Sequence, residues 1–231
     1  MKTKLLLLFL FFSLLGNAQI NKDHLIPMLS ESEMSDEQHE YYINVRTVLL
    51  RGLSDEPLIR YRVQYPFETE CVLDIEYSES NDNFYLIYRT CKENIWGNEN
   101  WTYVEFEEYE RKIDPYSVAI IHSLFLSILK QTRYNDKYIF ADESVDHHFY
   151  AWSEDFGLMS GMASSPSRYG DIIKEFASIC NTLIGFSKGG DSVISFDEML
   201  QYRISKLQMK LYFSITENEM ENLIYRLEIE D

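Results

Sequence analysis

The most apolar stretch beyond the N-terminal residues predicts a buried helix at residues 114–133. Asp114 suits the N-cap, and Pro115 suits the first helical position because its missing N–H would have no partner there. Apolar residues recur three or four positions apart along one stripe: Val118, Ile121, Phe125 and Ile128. Because flanking positions are also apolar, this helix must be covered on most sides, which makes it the predicted core helix.

Alternating and β-branched segments predict an antiparallel sheet. Residues 59–65 alternate between an apolar side and a side that carries Arg60, Arg62 and Gln64. Residues 42–50 are rich in β-branched and aromatic residues and predict an earlier strand, and residues 102–109 predict a strand before the core helix.

A second half of the domain is predicted after the core helix. Residues 145–152 and 156–163 form a predicted hairpin, and residues 169–184 form a predicted helix that ends at Gly185. Cys180 lies on the apolar side of that helix, where a free cysteine packs as a small hydrophobe.

The clearest hairpin spans residues 71–91, with a polar turn at 78–83. A turn centred on Asn81 pairs Ile75 with Ile87 and places Cys71 opposite Cys91. In an oxidising compartment, two cysteines that face each other across paired strands are close enough to form a disulfide. The sequence therefore predicts a Cys71–Cys91 disulfide and a buried Cys180 thiol, on condition that this register holds.

Two helical segments are predicted after residue 193, each with a capping-box spacing and an apolar seam. Neither is long enough to be stable alone in water, so they are expected to pack on the main domain or on a second copy in a homodimer. The fold prediction is α+β: an antiparallel sheet packed against two helices, with a C-terminal helical pair. Its predicted segments are a signal peptide at 1–18, an acidic lead-in at 19–40, an α+β domain at 41–186 and a helical segment at 193–231.

The first 18 residues have the three parts of a signal peptide. Lys2 and Lys4 precede an apolar run at 5–15, and small residues stand at Gly16 and Ala18, before the expected cut. The protein is therefore expected to be exported, either to a bacterial periplasm or beyond the cell. No second apolar run is long enough for a bilayer, so the mature chain is not predicted to be embedded in a membrane.

Charge narrows the classes of partner. Acidic side chains number 38 against 21 basic ones, for a formal net charge of −17. Such a surface repels nucleic acid, so no nucleic-acid partner is predicted. The remaining classes of partner are a protein, a peptide or a glycan.

Several short motifs resemble a group of small, uncharacterised exported bacterial proteins of α+β type. They are Arg62, Pro66-Phe67-x-x-Glu70, Leu73-x-Ile75, Asp146-x-x-x-Tyr150 and Ser165-Pro166. The resemblance covers about residues 55–185 and differs at Val145, where that group usually has glycine. It implies the α+β fold and export, and it implies no activity.

Asp146 and His148 are the candidate catalytic pair. Residues two apart on a strand share a face, so a carboxylate and an imidazole there suggest a small exported hydrolase with an unplaced serine. His147 points to the opposite face, so the two histidines cannot share a metal ion. Neither a metal nor another cofactor is predicted.

Two indoles, Trp96 and Trp101, flank a polar loop and form the candidate binding surface. Exposed aromatic rings beside amide and acid groups suit a peptide or a sugar, although the rings could also fold back over the sheet edge. The favoured functional hypothesis is a non-enzymatic exported binding module, and the hydrolase is the alternative.

Overall fold

The structure, a computed structural model, describes residues 23–28, 32, 34–64, 69–133, 145–164, 170–190 and 192–229, with side chains as far as residue 214. Within this part of the chain four helices and six strands follow one another. In chain order they are α1 (Asp36–Leu49), β1 (Ile59–Gln64), β2 (Cys71–Ser78), β3 (Asn83–Cys91), β4 (Phe106–Ile113), α2 (Pro115–Leu129), β5 (Asp146–Ser153), β6 (Gly157–Ser164), α3 (Asp171–Ser187) and α4 (Glu198–Ile229). The α+β prediction is confirmed, and α3 and α4 pack against each other as the last two helices of the chain.

All six strands form one antiparallel sheet in the order β4-β3-β2-β1-β5-β6. The two predicted hairpins are present as β2–β3 and β5–β6. The chain crosses from β4 to β5 through the core helix α2, and β5 then pairs with β1 in the middle of the sheet. The segment at 23–28, predicted as a polar lead-in, extends this sheet because Ile26 bridges Met162 of β6.

One face of the sheet packs under α2, α3 and α4 and forms the main hydrophobic core. Asp114 caps α2 as predicted, with its carboxylate accepting hydrogen bonds from the backbone N–H groups of Tyr116 and Ser117 at 3.0 Å. At the centre three fully buried rings, Phe125, Phe149 and Phe176, pack together with centroids 4.6 to 6.3 Å apart. Aromatic contacts at these separations stabilise a core beyond the burial of area alone.

The opposite face of the sheet is covered by α1 and by the loop after β3. The prediction of a strand at 42–50 is wrong, because these residues belong to α1. Tyr41, Val45, Val48 and Leu49 are spaced for one side of a helix, and all four are buried. Ser35 and Gln38 form a capping box at its start.

Two further boundaries differ from the prediction. The strand predicted at 102–109 is displaced, because Trp101–Tyr103 form a short 3₁₀ turn and β4 begins at Phe106. The two helical segments predicted after residue 193 are one continuous helix, α4. Asp197 supplies its N-terminal hydrogen bond, accepting from the backbone N–H of Leu200 at 2.8 Å.

The predicted Cys71–Cys91 disulfide is wrong, because the β2–β3 register differs by one residue. Ile75 pairs with Leu86 and Cys71 pairs with Thr90. A shift of one residue sends the two side chains to opposite faces. Accordingly Cys71 packs in the core under α2–α4 and Cys91 packs under α1, and all three cysteines are free and buried.

Within the described residues, no helix combines the length and the apolarity that crossing a bilayer requires. The predicted signal peptide at 1–18 lies outside the described residues, as do Pro66, Phe67, Ser165 and Pro166 of the motif resemblance.

The thiols give a direct test of the register. Burial raises the pKa of Cys71 to about 11 and that of Cys91 to about 12, so almost no thiolate exists at pH 8. We expect a thiol reagent to react very slowly with the folded protein and to label three cysteines per chain once it is unfolded without reductant. Mass spectrometry of the digested protein gives the count, and a peptide that joins Cys71 to Cys91 would contradict this register.

Candidate functional site

The sheet face beneath α1 carries buried polar and charged side chains. Arg60 and Asp74 lie opposite each other on β1 and β2 and form a salt bridge with an N–O distance of 2.5 Å. Arg89 donates to Glu108 at 2.5 Å and to the backbone carbonyl groups of Leu49, the last residue of α1, and of Arg51. Hydrogen bonds as well as apolar contacts therefore hold the end of α1 on the sheet.

Next to this face, α1 and the loop after β3 enclose an open groove of about 410 Å³. Three aromatic rings and three exposed carboxylates are among its walls, and among the described residues its lining includes no lysine or arginine. The lining residues are Glu37, Glu40, Tyr41, Asn44, Ile95, Trp96, Gly97, Asn98, Glu99 and Trp101. Both predicted binding residues, Trp96 and Trp101, thus lie in one groove.

Glu70 connects the two walls of the groove through hydrogen bonds. It is fully buried, and its carboxylate accepts hydrogen bonds from the Tyr41 hydroxyl at 2.8 Å and from the backbone N–H groups of Ile95 and Trp96 at 3.0 and 3.3 Å. Burial raises the pKa of Glu70, and the backbone hydrogen bonds oppose that rise. One side chain therefore connects α1, the sheet and the loop after β3. This loop carries Trp96 and Trp101 and is called the tryptophan loop below.

The tryptophan loop has its own internal support. Asn94 accepts a hydrogen bond from the backbone N–H of Trp96 at 2.6 Å, and the Trp101 backbone N–H donates to the Asn98 carbonyl at 3.1 Å. Gly97 has φ 69°, a left-handed conformation that suits glycine. The Trp96 ring meets the Tyr41 ring edge to face at 4.7 Å, which fixes the aromatic wall.

Among the described residues, the charged side chains that line the groove are all acidic. Glu37 and Glu40 are one helical turn apart on α1, and Glu99 lies across the groove on the loop. The negative faces of the aromatic rings add to the same potential. The groove therefore favours a positively charged group over an anion.

The candidate catalytic pair takes part in structural contacts. His148 is fully buried, its Nδ1 lies 3.3 Å from a guanidinium nitrogen of Arg62, and its Nε2 lies 3.3 Å from the Tyr42 hydroxyl. Because arginine can only donate, Nδ1 accepts and Nε2–H donates. Asp146 accepts a hydrogen bond from Ser164 on the neighbouring strand. No substrate can reach the His148 ring in this structure.

The described residues contain no group of three or more His, Cys, Asp and Glu side chains placed to hold a metal ion.

Arg62 and Tyr150, two residues of the motif resemblance, are joined by a hydrogen bond of 3.0 Å on the sheet face beneath α1. Glu70, a third residue of that resemblance, accepts the hydrogen bonds that connect the walls of the groove. Sequence analysis missed the contribution of α1 because it assigned residues 42–50 to a strand.

Comparison with protein-family models, with curated proteins and with solved structures finds no match to this chain. The site must therefore be interpreted from its own chemistry.

Replacing Glu70 tests its fastening role. We expect Glu70→Ala to lower the free energy of unfolding by about 1–3 kcal/mol for each buried donor that is left unpaired. Tyr41→Phe removes a single hydrogen bond and is the matched control, with an expected loss of about 1 kcal/mol. Chemical denaturation measures both, and equal losses in the two variants would show that the loop N–H groups do not depend on Glu70.

His147 and His148 predict a loss of stability in acid. Burial lowers the pKa of His147 to about 4 and that of His148 well below its ordinary value, and the Tyr61 hydroxyl lies 2.6 Å from His147 Nδ1. Below pH 6.5 the unfolded chain binds protons that the folded chain does not, so stability falls between about pH 7 and pH 4.

His147→Gln should flatten this slope, with up to about 3 kcal/mol of the loss attributable to that residue. His39→Gln, at a half-buried histidine of α1, is the control for the substitution itself. Denaturation curves at pH 7.5, 6 and 5 measure the slope. An identical slope in both variants would contradict a His147 that stays neutral in the folded protein.

Proposed function

We propose that this protein is an exported, non-enzymatic binding module whose groove between α1 and the tryptophan loop receives a cationic side chain of a basic peptide. The observation that carries the proposal is the groove lining, which joins three carboxylates and three aromatic rings and, among the residues that the structure describes, holds no lysine or arginine. Export is the part of the proposal that rests on the leader-like residues 1–18.

The size of the groove supports a small ligand group. A volume of about 410 Å³ lies in the range of pockets that hold small molecules, and it accommodates one or two residues of a peptide rather than a whole domain. The groove is open to solvent along α1, because Glu37 and Glu40 are exposed. A peptide can therefore lie across it while one side chain enters.

The chemistry of the walls favours lysine or arginine. A cation over an aromatic face gains about 0.5–2 kcal/mol, and nearby carboxylates add charge-assisted hydrogen bonds. A neutral glycan could stack on an indole, but it would leave the three carboxylates without a counter-charge. The acidic balance of the whole chain also attracts basic partners.

Support for binding over hydrolysis comes from His148. A general base must reach the proton that it removes, and this imidazole is fully buried with its two nitrogens directed at Arg62 and Tyr42. The proposal accordingly gives Asp146 and His148 a structural role.

Tryptophan fluorescence provides the test, because two of the three tryptophans lie in the groove. The chain starting at Gln19 should bind a tri-lysine peptide with a change in fluorescence, and added salt should weaken binding. Trp96→Ala and the double variant Glu37→Gln/Glu40→Gln should each weaken binding about tenfold, which corresponds to about 1.4 kcal/mol.

Trp152→Phe and Glu79→Gln are the matched controls, since both residues are outside the groove lining and should leave the affinity unchanged. A neutral oligosaccharide serves as the competing ligand. Binding of the oligosaccharide but not of tri-lysine would replace the cationic ligand by a glycan. Equal tri-lysine binding by the Glu37→Gln/Glu40→Gln variant would refute the assignment to this groove.

A further inference from the structure

The outer side of α4 carries large apolar residues in solvent. Leu200, Ile204, Leu207 and Leu211 form the seam that packs on the domain. A second set is more than half exposed: Met199, Tyr202, Met209 and Phe213. At 100° per residue this second set lies roughly opposite the buried seam, where a surface helix normally carries polar side chains. An exposed stripe of this kind marks an interaction surface.

The stripe follows a heptad repeat along the whole helix. Steps of three and four residues from position 199 to position 227 select Met199, Tyr202, Lys206, Met209, Phe213, Thr216, Met220, Leu223 and Leu227. Only Lys206 and Thr216 interrupt the apolar series. A repeat sustained over four heptads is typical of a helix that pairs with another helix. The helix continues to Ile229, so it spans about 48 Å along its axis.

The two halves of α4 carry opposite charge. Positions 198–214 hold three basic residues and one acidic residue, whereas positions 215–229 hold four acidic residues and one basic residue. In the first half, Lys206 and Lys210 also line a groove of about 460 Å³ between α3 and α4, together with Lys174. Among the described side chains these three lysines form no ion pair.

We infer that two copies of this chain associate through the outer stripe of α4 as an antiparallel helix pair, with the two-fold axis near Phe213. Antiparallel pairing sets the basic half of each helix beside the acidic half of the other, and in heptad terms it places Lys210 near Glu217 of the second copy. A parallel pair would put like-charged halves side by side. Charge therefore selects both the partner and its direction.

In this pairing the acidic half of α4 from the second copy lies beside the groove between α3 and α4 of the first copy. The groove between α3 and α4 is lined by three lysines without an ion pair among the described side chains, by Asp171, and by Arg203, which is already paired with Glu175 at 2.7 Å. Lys206 stands at a core position of the repeat, where a charged residue reduces stability but specifies register. The acidic half of the second helix supplies counter-charge there without changing the fold of either copy.

Charge reversal tests the inference on the chain starting at Gln19. Sedimentation equilibrium should show a dimer for the unchanged protein. Lys210→Glu alone and Glu217→Lys alone should each weaken the dimer at least tenfold, and the combined variant should recover it because the opposite charges are restored. An equimolar mixture of the two single variants should form a heterodimer. Glu79→Lys, at the β2–β3 turn, is the matched control.

Three outcomes would overturn the inference: a protein that stays monomeric at the highest concentration examined, a dimer that neither reversal weakens, or a combined variant that does not recover. The second outcome would indicate a parallel pair or another interface. Circular dichroism of each variant checks that α4 remains helical. Tri-lysine binding in the α1 groove provides an independent readout, which these substitutions should leave unchanged.

Discussion

The centre of the sheet is buried on both faces, and the rest of the structure depends on this constraint. Every residue of β1 is buried, including Arg60, Arg62 and Gln64 on the face beneath α1. A charge removed from water must find compensation. Arg60 finds it in the Asp74 carboxylate, while Arg62 donates to Tyr150 and lies over the rings of Tyr42 and Tyr150. These directional contacts, together with the small apolar cluster beneath α1, determine where that helix lies.

The position of α1 in turn creates the candidate site. A helix on a sheet leaves a groove where the neighbouring loop rises to meet it, and here Glu70 joins the two sides through Tyr41 and the backbone of Ile95 and Trp96. Because buried hydrogen bonds hold the walls, little order has to be gained when a ligand enters. Preorganisation of this kind is what allows a small groove to bind with useful affinity.

Charge is distributed unevenly over this acidic protein, and its distribution has more functional meaning than its total. The groove at α1 concentrates carboxylates beside aromatic rings, whereas the first half of α4 concentrates lysines beside exposed apolar residues. The two surfaces therefore suit different partners, a cationic side chain at one and an acidic helix at the other. If both proposals hold, dimerisation through α4 joins two cation-binding grooves in one particle, which strengthens binding only to a basic ligand long enough to reach both grooves at once.

Local pattern was sufficient for much of the fold. The alternation in β1, the two hairpins, the Asp114 cap and the buried face of α3 depend on residues close in sequence, so periodicity and capping chemistry determined them. The sequence also drew attention to Trp96 and Trp101, which line one groove in the structure. Three features depended on tertiary structure: α1 became a helix because its apolar residues at helical spacing pack on the sheet, the two C-terminal segments joined into one helix, and the hairpin register moved by one residue. That last shift separated Cys71 from Cys91, because register is set by which side chains the covering layers bury, a non-local free energy that no single strand contains.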